Sequence, residues 1–374
     1  MQRVNASSNQ RFANTPRGGF TLIELLVVIF IIIVLVSITV PALSSVRTSA
    51  RVSETRGVIG GLAAACQAFE LDSRNPAGYF AARDMGRPEN ETGGFSGMQN
   101  IMLDLAGGFS VPNPASPNTP PAPTGWSKMG PDPTVDGRWV WVNPDLIGAA
   151  NATGKQYFTP GAKNWRVINV PENGERWGTV AENKVMPELI DAFGTPILAW
   201  NEDTTASKKI SSVEKFARAN VGLQPTDVAR FYRANNFAFL RENVRVGLKA
   251  PNQNKSLIGN FLVPSSNSAG IAANLTALLG NPASPVNAND ATIALADILP
   301  SASRGGVVLH SAGKDGIYLS EDDKGAAVRG GAQELYYGLN FRTNANGQLT
   351  DPQGRPSSTD IISGFDDLVQ AAGN

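Results

Sequence analysis

From Leu25 to Val36 the chain is apolar without a break, twelve residues of Leu, Val, Ile and Phe, and a glutamate, Glu24, stands directly before them. Between Phe20 and Val40 only Thr21, Glu24, Ser37 and Thr39 interrupt the run. As a helix that stretch spans roughly 30 Å, about one hydrocarbon core. Arg3, Arg11 and Arg17 precede it and nothing acidic does. A cleaved secretory signal suits the length of the apolar core, but no small-x-small cleavage site follows. A plain anchor accounts for the hydrophobicity and leaves the carboxylate without a reason, since a charge at membrane depth costs about 2.5–3.5 kcal/mol and needs a partner. Arginines at both ends, Arg47, Arg51 and Arg56 at the far one, leave the orientation open by charge counting.

A third reading uses every unusual residue. The stretch "RGGFTLIELLVVI", residues 17–29, resembles the class III leader of type IV pilins and type II secretion pseudopilins. The resemblance implies cleavage by a prepilin peptidase between Gly19 and Phe20, and N-methylation of Phe20. Glu24 then becomes the fifth mature residue. Pro41 becomes the twenty-second, where the family commonly kinks its helix. Cleavage creates an ammonium about one helical turn from Glu24, on the same chain or on a neighbouring subunit. The resemblance favours the intersubunit pair and makes Glu24 an assembly and register device, because an unpaired charge in an apolar filament core is strongly disfavoured.

Beyond Pro41, which removes a backbone donor and should bend or interrupt the helix, the pattern turns amphipathic. Val58, Leu62, Ala65 or Cys66, and Phe69 recur at helical spacing. A leader over 1–19, a helix over 20–72 (20–40 in the membrane, 41–72 amphipathic) and a globular head over 73–374 follow as the expected organisation. A helix of that length is roughly 80 Å long. Gly57, Gly60 and Gly61 weaken it and allow close approach of a neighbour. The single cysteine, Cys66, excludes an internal disulfide and a cysteine-built zinc site, and the single histidine, His310, argues against a histidine-built one.

Within the head, "RWVWV" (138–142), "PILAW" (196–200) and "GGVVLHSAG" (305–313) read as strands, and 226–243 as a helix. Eight prolines between Pro112 and Pro133 suggest a surface excursion of local polyproline II character. Residues 263–292 and 342–360 are weakly specified. All six tryptophans lie between Trp126 and Trp200, and buried packing is the expected use for them. Two fragments extend the resemblance: "DAFGTPILAW" (191–200) is similar to the Asp-x-x-Gly-x-Pro turn and strand of pseudopilins, and "SAGKDGIYLSEDD" (311–323) to the loop after their next strand. The implied fold is α+β: a long N-terminal membrane-spanning helix packed on a small antiparallel sheet head. Two large insertions are expected, at about 73–190 and 202–304.

In many major pseudopilins that second loop binds calcium through carboxylates and carbonyls. Here Asp315, Asp322 and Asp323, with Asp360 in "STDIISGFDD", are the expected donors, Ser320 and Glu321 lying between them. The alternative is a solvated acidic turn. No Gly-x-Ser-x-Gly elbow, phosphate loop or His-Glu-x-x-His helix is present, so an enzyme is not expected. Equal numbers of basic and acidic residues give no footprint for nucleic acid. The expected function is a pseudopilin-like filament subunit. Its expected partners are the prepilin peptidase, other pseudopilin subunits, an inner-membrane assembly platform and membrane lipid. Its expected place is the inner membrane, single-pass, with the head in the periplasm. A type IV pilus minor pilin and a membrane-tethered periplasmic binding protein, using the leader for targeting only, are the alternatives.

Overall fold

The computed structural model describes residues 19–78, 95–130, 139–149, 155–167, 186–203, 230–231, 236–240, 255–259, 268–281, 302–323, 328–329, 334–335, 342–343, 349–350 and 360–373. Helix α1 runs Leu22–Ser73. The chain divides into two compact units, Met1–Ala50 and Arg51–Asn374.

The first unit holds the apolar part of α1. From Leu22 to Val46 its large side chains are exposed, and the helix is long and apolar enough to cross a membrane. The helix is not interrupted at Pro41, contrary to the stronger form of the expectation. A proline removes one i to i−4 bond, and the bonds on either side hold the turn. Ser37 Oγ and Thr39 Oγ1 donate to the carbonyls of Val34 and Val36, at 2.7 and 3.3 Å.

In the second unit α1 becomes one-sided, burying Thr55, Ile59, Leu62, Ala63, Ala65 and Cys66, with Val58 and Phe69 partly buried beside them. The sequence stripe had included all of these but Thr55, Ile59 and Ala63. All but Thr55 pack in one cluster with Ile197, Ala199, Val307 and Leu309. Ile197 leads into a three-stranded antiparallel sheet made by β6 (Leu198–Asn201), β7 (Val307–Ser311) and β12 (Leu368–Ala372), with β7 in the centre. Leu198 pairs with His310 and Asn201 with Val307; Leu368 pairs with Ser311 and Ala372 with Val307. Side chains alternate across the sheet. Val307 and Leu309 face α1, whereas Leu198, Trp200 and Val308 enter a second core with Phe231, Leu275 and Tyr318. Burial on both faces is why "VVLH" reads as a continuous apolar run and not as an alternation.

Between α1 and β6 lie α2 (Gly97–Ala106) and a second sheet of β1 (Phe109–Ser110), β2 (Ser127–Met129) and β3 (Val140–Val142), in the order β1-β3-β2. Ser96 and Gln99 close a capping box at the start of α2, both hydrogen bonds 3.0 Å. A strand pair, β4 (Trp165–Arg166) and β5 (Glu188–Leu189), follows. Within the proline-rich excursion, residues 113–119 form two successive turns, while Pro131 and Pro133 lie outside the described residues. Ser116 N donates to Asn113 O and Thr119 N to Ser116 O, with Pro114 and Pro117 at the second position of each turn, where their fixed φ is favoured.

Between β6 and β7 the described elements are α3 (Phe237–Leu240) and α4 (Ser268–Leu279). Phe231 is bridged to Glu202 in antiparallel fashion, so the helix expected over 226–243 does not include it; residues 226–229, 232–235 and 241–243 of that span lie outside the described residues. Helix α4 falls within the span read as weakly specified. Its Ala- and Leu-rich sequence is buried from Asn274 onward, so packing supplies what pattern did not. Arg304 donates to its last carbonyls, those of Leu278 and Ala277. Four short strands pair as β8 (Val328–Arg329) with β9 (Glu334–Leu335), and β10 (Arg342–Thr343) with β11 (Leu349–Thr350), the second pair again inside a span read as weakly specified. Trp139, Trp141 and Trp200 are buried, and Trp165 packs partly buried against the α1-side core; Trp177 lies outside the described residues. The architecture is α+β: a long apolar N-terminal helix and small antiparallel sheets.

Candidate functional site

At the start of the first unit, Gly19 and Phe20 lie exposed and non-helical, immediately before α1. Thr21 sits at the N-cap. Its backbone N and its Oγ1 both donate to Glu24 Oε2 at 2.8 Å, while Glu24 N donates to Thr21 Oγ1 at 3.3 Å. This is a capping box read from Thr-x-x-Glu, and it places Glu24 in the first turn, where a carboxylate meets the positive end of the helix dipole. Residues 1–18, which carry the arginines of the expected leader, lie outside the described residues.

In the second unit the two family-like fragments, far apart in sequence, lie side by side. Asp191 closes its own turn: its Oδ1 accepts from Phe193 N and Thr195 N at 2.8 and 2.9 Å, and Gly194 adopts φ 88°, where a side chain is strained. Its Oδ2 accepts from Ser311 Oγ at 2.7 Å. Ala192 N donates to Thr55 Oγ1 of α1 at 3.2 Å. Tyr318 Oη donates to Pro196 O at 2.6 Å, joining the acidic loop to the same turn. Burial pushes the Asp191 carboxyl up to about 6 against the pull of these hydrogen bonds. His310 is fully buried against Asp367, which also accepts from Leu319 N at 3.0 Å, so it pins the loop to the sheet.

The acidic loop folds so that Asp315, Asp323 and Asp366 place a ligand atom each within 4.8 Å of one another. Asp315 Oδ1 accepts from Ile317 N at 2.8 Å and Asp323 Oδ2 from Asp366 N at 3.3 Å. Among the described residues, both side-chain oxygens of Asp366 are buried without a hydrogen-bond partner, and Lys314 Nζ stands 3.6 Å from Oδ2. Gly313 has φ 65°, and a Cβ there would fall 2.3 Å from Asp366 O, so the loop can approach the C-terminal segment only with glycine at that position. Burial, then the neighbouring carboxylates, raise Asp366 to about 7. Asp315 is raised to about 6, with burial again the leading cause; Asp323 is raised in the same direction.

Of the expected donors Asp315, Asp322, Asp323 and Asp360, the fold brings Asp315 and Asp323 together and sets the other two apart. Asp322 turns outward to an ion pair with Lys255. Asp360 receives two hydrogen bonds from Arg304, at 3.0 Å each, and caps the short helix Ile361–Gly364. Asp366, which the sequence alone did not single out, lies beside that pair. Its signal was available: an acidic pair directly before the last apolar run, in "GFDDLV". The three carboxylates fit a hard cation by donor chemistry. Oxygens on opposite sides of a calcium ion stand about 4.8 Å apart, twice the ~2.4 Å bond.

The family model for the prokaryotic N-terminal methylation motif matches residues 14–40. With the apolar N-terminal helix, which begins inside it, the match fits a type IV pilin-like class III leader. Such a leader implies processing by prepilin peptidase and assembly with pilin-type subunits, and supports a type IV pilin-like or pseudopilin protein. No curated protein and no solved structure matches the chain.

Proposed function

We propose that this chain is a pseudopilin-like subunit of a type II secretion or related type IV filament, held in the inner membrane by α1 with its head in the periplasm. The observation that carries the reading is the junction itself: Gly19–Phe20 exposed ahead of a helix whose first turn holds Glu24 and whose following turns are apolar and unburied. The work is mechanical and not catalytic. A processed subunit waits in the membrane, presents Glu24 to the ammonium of a neighbour's Phe20, and packs its apolar helix in the filament. The segments at about 73–190 and 202–304 enlarge the head and favour a specialised subunit over a densely packed major one. Mass spectrometry of the mature N-terminus tests the class. A methylated phenylalanine at position 20 supports it; a chain that keeps residues 1–19 overturns it. Cross-linking between apolar helices of adjacent subunits tests the assembly.

Asp315, Asp323 and Asp366 support a second element of the proposal, a calcium ion that fixes the loop to the C-terminal segment. An ion there would neutralise half-buried carboxylates that otherwise repel one another. The residues themselves do the rest: Gly313 permits the close approach, and Asp366 brings the strand that follows it, β12, under the loop's control.

A further inference from the structure

Past its apolar run, α1 changes chemistry within a turn. Arg47 and Arg51 are both exposed on the helix, and their spacing of four residues puts them on one face. From Leu25 to Ser53 the chain has no acidic residue. Glu54, the first to follow, is engaged by Lys163 at 2.5 Å. Among the described residues neither guanidinium has an ion-pair partner. The hydroxyl between them is used inside the helix, Thr48 Oγ1 donating to Ser44 O at 3.1 Å. Positive charge is what this turn offers to its surroundings.

Position along the helix decides what meets that charge. Large apolar side chains are exposed from Leu22 to Val46, and the helix is long and apolar enough to cross a membrane. Arg47 lies about 10 Å past Val40, where a stretch the length of one hydrocarbon core ends. Long side chains on a helix lean toward its N-terminus, which turns both guanidiniums back toward the headgroup layer. The anion abundant in that layer is a lipid phosphate, and a guanidinium meets phosphate with paired donors.

We infer that Arg47 and Arg51 form a docking site for the phosphate of an anionic lipid headgroup, in the leaflet where α1 leaves the membrane. The site fixes the depth of the helix: sinking buries two charges, and rising gives up the phosphate. The inference rests on the reading of α1 as a membrane span and assigns that span a lipid contact.

The full-length chain in detergent is titrated with phosphatidylglycerol or phosphatidylcholine, and native mass spectrometry reads the lipid retained. Far-ultraviolet dichroism establishes equal helicity. Arg3, Arg11 and Arg17 are common to every variant, so differences from the parent report on the pair. The parent is expected to retain phosphatidylglycerol in preference to phosphatidylcholine. Arg47→Gln and Arg51→Gln are each expected to weaken phosphatidylglycerol binding by about fivefold, the scale of one basic side chain near an anionic surface. Arg47→Lys and Arg51→Lys are expected to keep most of it. Arg56→Gln, at an exposed position further along α1, is expected to change nothing. Parental retention of phosphatidylglycerol by the double glutamine variant overturns the arginine site and leaves the membrane span standing. An equal loss in Arg56→Gln reduces the effect to net charge and also overturns the site. A parent chain that retains neither lipid, and floats with vesicles of neither, overturns the span and the site together.

Discussion

Ser311 Oγ donates a 2.7 Å hydrogen bond to Asp191 Oδ2, and both residues are buried. The bond crosses from the end of the central strand to the turn that feeds its neighbour. It makes the Asp191 turn, β6 and β7 one structural piece, although a long stretch of chain runs between them. Asp191 meanwhile closes its own loop through Phe193 N and Thr195 N.

Substituting Asp191 by alanine leaves three buried donors without an acceptor. At about 1–3 kcal/mol for an orphaned buried group, partly relieved by relaxation, a loss of about 3 kcal/mol is expected. Ser311→Ala, which removes one donor and leaves an acceptor with other bonds, is expected to cost about 1 kcal/mol. Urea unfolding of the detergent-solubilised chain measures both, and equal effects would contradict the assignment of Asp191 as the hub.

Calcium at about 5 mM, enough for weak extracellular-type sites, is expected to raise the melting temperature of the parent chain and of Asp322→Asn. It is expected to leave Asp366→Asn and Asp315→Asn unmoved. Asp360→Asn should be destabilised with or without calcium, because it loses the Arg304 pair and not an ion ligand. No stabilisation of the parent at that concentration would remove the ion from the reading.

Protonation gives a separate handle on the same loop. Folding raises Asp315 to about 6 and Asp366 to about 7 from the usual 3.8. Raised carboxylates bind more protons folded than unfolded across that window. Their contribution to stability is therefore complete below about pH 4 and is lost as pH rises through 6 to 7. In chelator, the double variant Asp315→Asn, Asp366→Asn should match the parent at pH 4 and exceed it at pH 8. Calcium should reverse the difference at pH 8 and do little at pH 5, where protons compete for the same oxygens.

Cys66 should be inert. Burial, with the negative charges of Asp104 and Glu70 nearby, pushes its thiol up to about 12. Alkylation by iodoacetamide at pH 8 is expected only after unfolding, and modification of the folded chain would place the α1 face elsewhere. Leu62→Ala, on the same buried face, is expected to cost about 2–5 kcal/mol.

The elements legible in the sequence were those fixed by local chemistry. The run after Glu24, the stripe through Leu62 and Cys66, the Asp191 turn and the strands around Trp141, Trp200 and Leu309 carry their own pattern. What stayed hidden depends on partners distant in sequence. Helix α4 is apolar on nearly every side and bounded by Gly, Ser and Pro, so no periodicity announces it; burial from Asn274 onward holds it. Pro114 and Pro117 read as extended chain by composition, yet each opens a turn closed by Asn113 or Ser116. The acidic cluster was half legible for the same reason. Asp315 and Asp323 share a loop, but only the fold decides that Asp366 joins them while Arg304 draws Asp360 away.

Asn201 at the end of β6 lies opposite Val307 at the start of β7. The chain that departs after the one and returns before the other leaves and re-enters at a single doorway. Whatever length is threaded there need not disturb the pairing of the two strands, since closing a longer loop adds little to the entropy already lost. The gateposts are bolted: Glu202 N donates to Gly306 O at 2.9 Å and Asp203 N to Arg230 O at 2.8 Å, so the intervening chain is moored at both ends while the sheet beneath keeps its registration.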